Sequence, residues 1–153
     1  MKKIKIPLTT TIVILVITGL ALTLTTFAAV TVSKSLSSTG TVSVSPNLGL
    51  YSDSGCTTTQ TTIDWGSATP GSTVTRTVYI KNTGTGASVS LSMAASSWSP
   101  TSANGPITLS WNKEGAILAP GQSTAALLTL TVSSSISEIT SFSVQINIVG
   151  TTS

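Results

Sequence analysis

The stretch Ile63–Gly84, IDWGSATPGSTVTRTVYIKNTG, constrains this chain more than any other. An apolar and aromatic edge, Ile63 and Trp65, runs into Gly66 and then a Pro70-Gly71 pair. Pro and Gly suit the two central positions of a type II turn, where Gly accepts the positive φ. From Thr73 to Asn82 the residues alternate. Val74, Val78 and Ile80 share one side; Thr75, Thr77, Tyr79 and Lys81 share the other. A period of two is the signature of a half-buried strand. Arg76 interrupts the apolar side and is expected near a sheet end, its stem buried and its head in water. Asn82-Thr83-Gly84 closes the stretch as a turn.

The same grammar runs through the rest of the chain. Val42 and Val44 alternate with Thr41 and Ser43 after a Ser/Gly-rich joint, Ser35–Gly40. Pro46–Gln60 reads as loop around one short apolar piece, Leu48–Tyr51. Ala87, Val89, Leu91 and Met93 alternate with serines. Ala94–Pro106 reads as loop carrying Trp98, and Ile107, Leu109 and Trp111 alternate again. Pro120-Gly121 repeats the earlier turn ahead of Thr124–Val132, so the two Pro-Gly units are expected to open equivalent strands on two different sheets. Phe142, Val144, Ile146 and Ile148 form the last alternating set. This predicts an all-β, antiparallel, half-solvated sandwich of about 7–9 strands.

Ahead of it stands a different segment. Lys2, Lys3 and Lys5 precede an uncharged run, Ile6–Ser33, whose heart is IVILVITGLALTL. A basic head, an apolar middle and small residues at Ala28 and Ala29 fit a cleavable signal peptide. The run is also long enough for a transmembrane helix. Both descriptions stand. In either case the lysines stay inside and the remainder goes outside, at the cell surface or secreted. The expected division is residues 1–29 as signal or anchor, 30–40 as linker or spare strand, and 41–153 as the sandwich.

Beyond these lysines the charges balance: Lys34, Arg76, Lys81 and Lys113 against Asp53, Asp64, Glu114 and Glu138. A neutral domain has no basic patch for nucleic acid. No His is present, which removes the commonest general base and metal ligand. The four carboxylates read as turn and solubility residues, and no cofactor, metal or catalytic residue is expected. Cys56 is the sole cysteine, so it forms no intrachain disulfide. It is either a small buried side chain or a thiol that pairs with another chain. No Asn heads an Asn-x-Ser/Thr sequon.

Ile63, Trp65-Gly66, Pro70-Gly71, Val74–Ile80 and Asn82-Thr83-Gly84 together resemble immunoglobulin-like domains of the ASH and MSP kind. The later Leu118-Ala119-Pro120-Gly121, followed by Leu128 and Leu130, fits the same pattern. The resemblance covers roughly residues 41–149 and is closest to archaeal and bacterial cell-surface proteins. It implies a fold, and a structural or interaction role outside the cell, but no functional residues.

Two roles follow as expectations. The first is a surface protein displaying one immunoglobulin-like domain. Its partners would be the membrane through residues 6–33 if uncleaved, and itself or other surface proteins. In a filament form of this role, Val30, Val32, Val42 and Val44 act as a donor strand for the next subunit. The second is a binding module for polysaccharide or another ligand, with Trp98 and Tyr51 as its platform. Trp111 is expected in the core and Trp65 at one end of it.

Overall fold

The computed structural model describes residues 36–44 and 47–152. Nine strands fill them: β1 (Leu36–Val44), β2 (Leu48–Tyr51), β3 (Thr62–Ala68), β4 (Thr73–Asn82), β5 (Val89–Ser99), β6 (Ile107–Trp111), β7 (Ile117–Leu118), β8 (Ser123–Val132) and β9 (Ser141–Thr152). One 3₁₀ turn, Thr101–Ala103, lies between β5 and β6. No helix among the described residues is long and apolar enough to cross a membrane. The segment read as signal or anchor, with Ala28, Ala29, Val30 and Val32, lies outside them.

The strands form two sheets, β3-β1-β9-β5-β7 and β2-β4-β8-β6. Both sheets contribute to a single core. Trp65, Leu91, Val144, Ile146 and Ile148 come from one, and Val78, Ile80, Leu128, Leu130 and Ile107 from the other. The alternation seen in the sequence is what places them. Along β9, Phe142, Val144, Ile146 and Ile148 are buried while Ser141 and Ser143 are exposed. Burial of these large side chains, each worth roughly 1.5–3 kcal/mol, is what holds the sheets together.

Four features differ from the sequence reading. The joint at Ser35–Gly40 is strand from Leu36 onward, so the folded unit starts before residue 41. Ser and Gly punctuate a sequence by composition, but here their backbone groups find partners on both sides. β1 pairs antiparallel with β3 and parallel with β9, which makes one pair in the otherwise antiparallel sheets parallel. The polar run after Met93 is not loop. β5 continues to Ser99 and bulges between Ser96 and Ser99, with Ser97 at φ 51°. Finally, the two Pro-Gly turns open strands of the same sheet, since β4 and β8 pair with each other from Thr73↔Thr131 to Lys81↔Ser123. The turns themselves are as expected. Ser72 N–H donates to Thr69 O and Gln122 N–H to Ala119 O, with Gly71 at φ 79° and Gly121 at φ 75°.

Candidate functional site

Arg76 faces inward on β4, and its guanidinium crosses to β3, the outer strand of the other sheet. Nε donates to Asp64 O at 2.7 Å and Nη2 to Trp65 O at 2.9 Å; Nη1 folds back to Thr75 O at 2.9 Å. Asp64 completes the bend, its Oδ1 accepting from Gly66 N–H at 2.8 Å, and Gly66 adopts φ 71°. The cation therefore stitches the two sheets and occupies two acceptors of an edge strand, which denies them to an incoming strand.

Two of the remaining carboxylates, Glu114 and Asp53, hold backbone or indole N–H groups. Glu114 Oε2 accepts from Trp111 Nε1 at 2.7 Å and from Met93 N at 3.2 Å, linking β6 to β5. Trp111 is half-buried and packs against the core, rather than lying within it. Asp53 accepts from Thr57 N and Thr58 N and from the Thr57 hydroxyl. These backbone donors to its ionised form, Thr58 first, hold its carboxyl below the ordinary value. Glu138 sits in the β8–β9 connection at φ 66°. Among the described residues, no three of Cys, Asp and Glu gather into a metal-sized cluster.

Cys56 belongs to the Asp53 turn. It is half-buried at φ 53°, its N–H donates to Asp53 O at 3.0 Å, and its thiol lies 4.0 Å from Ser54 O.

The expected aromatic platform divides. Trp98 is 9% exposed and stacks on Phe142, ring centroids 6.0 Å apart, so it is not available to a ligand. The bulge at Ser96–Ser99 turns it inward, which the surrounding Ser-Ser-Trp-Ser-Pro does not reveal. Tyr51 stays on the outer face of its sheet. Its ring lies over Gly49, where an added Cβ would stand 2.5 Å from the ring. Tyr79, not singled out by sequence, lies directly opposite Tyr51, and Ala125 directly opposite Tyr79. Register across two strands found this pair; neither strand alone suggested it.

Of the expected donor-strand residues, Val42 and Val44 lie in β1, paired with Ile146 and Ile148 of the same chain. Trp65 is buried at 1% exposure and its indole N–H has no partner, as does the hydroxyl of Ser38. No family model, curated protein or solved structure matches this chain.

Proposed function

We propose that this chain is an exported cell-surface protein with a structural and interaction-making role, built on an immunoglobulin-like domain and without enzymatic activity or cofactor. Pairing order supports the fold reading. A constant-type immunoglobulin sandwich has strands A, B, E and D on one sheet and C, F and G on the other. Here β2-β4-β8-β6 takes the order A-B-E-D, and β5 and β9 take C and F, each of these pairs being antiparallel. The chain order of the six agrees. The seat beside F holds β1 instead of a following strand, and β1 runs parallel to β9.

The observation that carries the role is this parallel contact. Eight consecutive residues, Ser37 to Val44, pair with Ser141 to Ile148. The Lys-headed apolar run lies upstream of β1. A pull between that run and the far end of β9 loads the whole ladder in shear, so its hydrogen bonds resist together. This is an arrangement suited to a domain held at a membrane and pulled from outside.

The test is intact mass and fractionation in the native host. Full-length protein in the membrane, or a species starting near Val30 in the medium, supports the reading. A soluble full-length chain in the cytosol overturns it.

A second reading rests on Tyr51 and Tyr79, whose outward position on a Thr-rich face suits stacking against sugar rings. Tyrosine ring signals that shift on adding cell-wall polysaccharide, and cease to do so after Tyr79→Ala, would favour it. Unchanged signals at saturating polysaccharide would remove it.

A further inference from the structure

We infer that β1 is exchanged between copies: the seat between β3 and β9 of one molecule takes the Leu36–Val44 strand of a second copy of this chain. The inference rests on the surface reading above, which supplies the high local concentration of anchored copies that exchange needs.

Three observations carry it. First, β1 is central in its sheet but poorly anchored by side chains. Among its described side chains, the inward positions are Leu36, Ser38, Gly40 and Val42. Leu36 is buried, Ser38 brings a hydroxyl with no partner, Gly40 brings no side chain, and Val42 is half-buried. Its neighbour β9 buries Phe142, Val144, Ile146 and Ile148. What holds β1 is the backbone ladder on both sides, six pairs to β3 and eight to β9, and an identical strand from another copy makes the same bonds.

Second, β1 stands in the place of a strand that would normally follow β9, and it enters from the opposite end of the chain. β2 follows β1 in the chain, and its own pairing with β4, from Leu48↔Asn82 to Tyr51↔Tyr79, does not involve β1.

Third, the two edges of this sheet offer narrower routes for strand addition. Arg76 occupies two acceptors of β3. At the other edge of that sheet, Gly115 N–H and Ala116 O pair with Leu91, and Glu114 takes the Met93 N–H. A strand given to one neighbour and received from another is a heterologous contact, which propagates as a filament where the rotation between copies does not close.

Register supplies the test. Thr41 faces Gln145 on the outer face, with Thr41 Oγ1 2.6 Å from Gln145 Oε1. The full chain carrying Thr41→Cys and Gln145→Cys in a Cys56→Ser background is expressed in cells, oxidised and run on a non-reducing denaturing gel. Exchange predicts a ladder of dimer, trimer and higher species that collapses to monomer on reduction, with neither single cysteine giving more than a dimer. An internally cross-linked monomer alone, or no cross-link at all, overturns the inference. Ser37→Cys with Ser141→Cys, a second facing pair, guards against a local defect at the first. If the chain is at the surface but yields only the internal cross-link, exchange fails while the surface role stands. Protein confined to the cytosol defeats the surface role itself.

Discussion

The indole Nε1 of Trp65 lies 3.2 Å from the point where a Cβ on Gly40 would stand, and Ile146 Cδ1 lies equally close on another side. Gly40 is thus the gap in β1 that lets a tryptophan from β3 lie across it, an aromatic covering a glycine on the neighbouring strand. Gly40→Val is expected to destabilise the domain by about 1–3 kcal/mol through overpacking, seen as a lower urea midpoint. The rigid indole is the obstacle. Trp65→Phe should therefore cost less in the Gly40→Val background than in the native chain, a coupling that a double-mutant cycle measures. Additive effects would mean that the two side chains do not compete for this space.

Asn82 is fully buried at the end of β4 and ties three connections together. Its Nδ2 donates to Ala87 O at 3.0 Å and Leu118 O at 3.1 Å, while Oδ1 accepts from Gly84 N at 3.0 Å. Its backbone meets the second Pro-Gly turn, with Asn82 N donating to Gln122 O and Gly121 N donating to Asn82 O. Asn82→Leu keeps the branching and heavy-atom count of the side chain and leaves one buried and two part-buried polar groups unpaired. A loss of about 3 kcal/mol is expected, since each such group costs roughly 1–3 kcal/mol and partial hydration offsets some of it. Asn82→Asp should fail differently. A carboxylate would face two carbonyls, so its folded-state pKa would rise and the variant would regain stability as pH falls. Equal losses at pH 7 and pH 4 would contradict this account.

The Asn-Thr-Gly turn was legible in the sequence, but the network of its Asn was not. The turn follows from local chemistry, whereas Leu118 is 36 positions away. The same division holds across the molecule. β4 and β6 could be read to the residue because turn residues bound them and their alternation is broken only at Arg76. The first half of β1, Leu36–Gly40, and the second half of β5 were hidden, since Ser, Gly and Ala reveal no apolar face. Trp98 was misplaced because the one extra residue of the bulge between Ser96 and Ser99 reverses which way the strand faces. Nor does composition show that the N-terminal strand pairs with β9, because register between distant segments depends on the whole sheet.

Asp53 gives a local dependence on pH. Backbone N–H groups of Thr58 and Thr57 hold its carboxyl below its ordinary value of 3.8. A depressed folded-state pKa means that the stabilisation is present above 3.8 and is lost as pH falls through the lower folded value. The amide resonances of Thr57 and Thr58 are therefore expected to titrate with a midpoint below 3.8. Asp53→Asn should abolish that titration. A titration centred at or above the ordinary value would mean that the turn does not form these bonds.

Arg76 bonds only backbone carbonyls: Asp64 O, Trp65 O and Thr75 O. Arg76→Met preserves the buried stem and removes the caps. A loss of about 1 kcal/mol is expected, reduced by the solvent access of the exposed bonds. Because these bonds involve no carboxylate, added salt should change the difference little. A loss that vanishes in high salt would point instead to an ion pair.

The parallel ladder between β1 and β9 predicts a direction-dependent mechanical strength. Pulled between the ends of β1 and β9, all eight pairs from Ser37↔Ser141 to Val44↔Ile148 load at once. Pulled across the other sheet, by handles near Gly49 of β2 and Ser110 of β6, the strands peel and their bonds open one after another. Single-molecule pulling should give a severalfold higher unfolding force in the first geometry. Inserting Pro at Thr41 removes one backbone donor from a central strand and opposes its extended pairing on both sides. The force along β1 and β9 should then fall towards that of the second geometry, while the force across β2 and β6 changes little. Equal forces in the two directions for the native chain would mean that the parallel contact bears no special share of the load. The surface role would then lose the observation on which it rests.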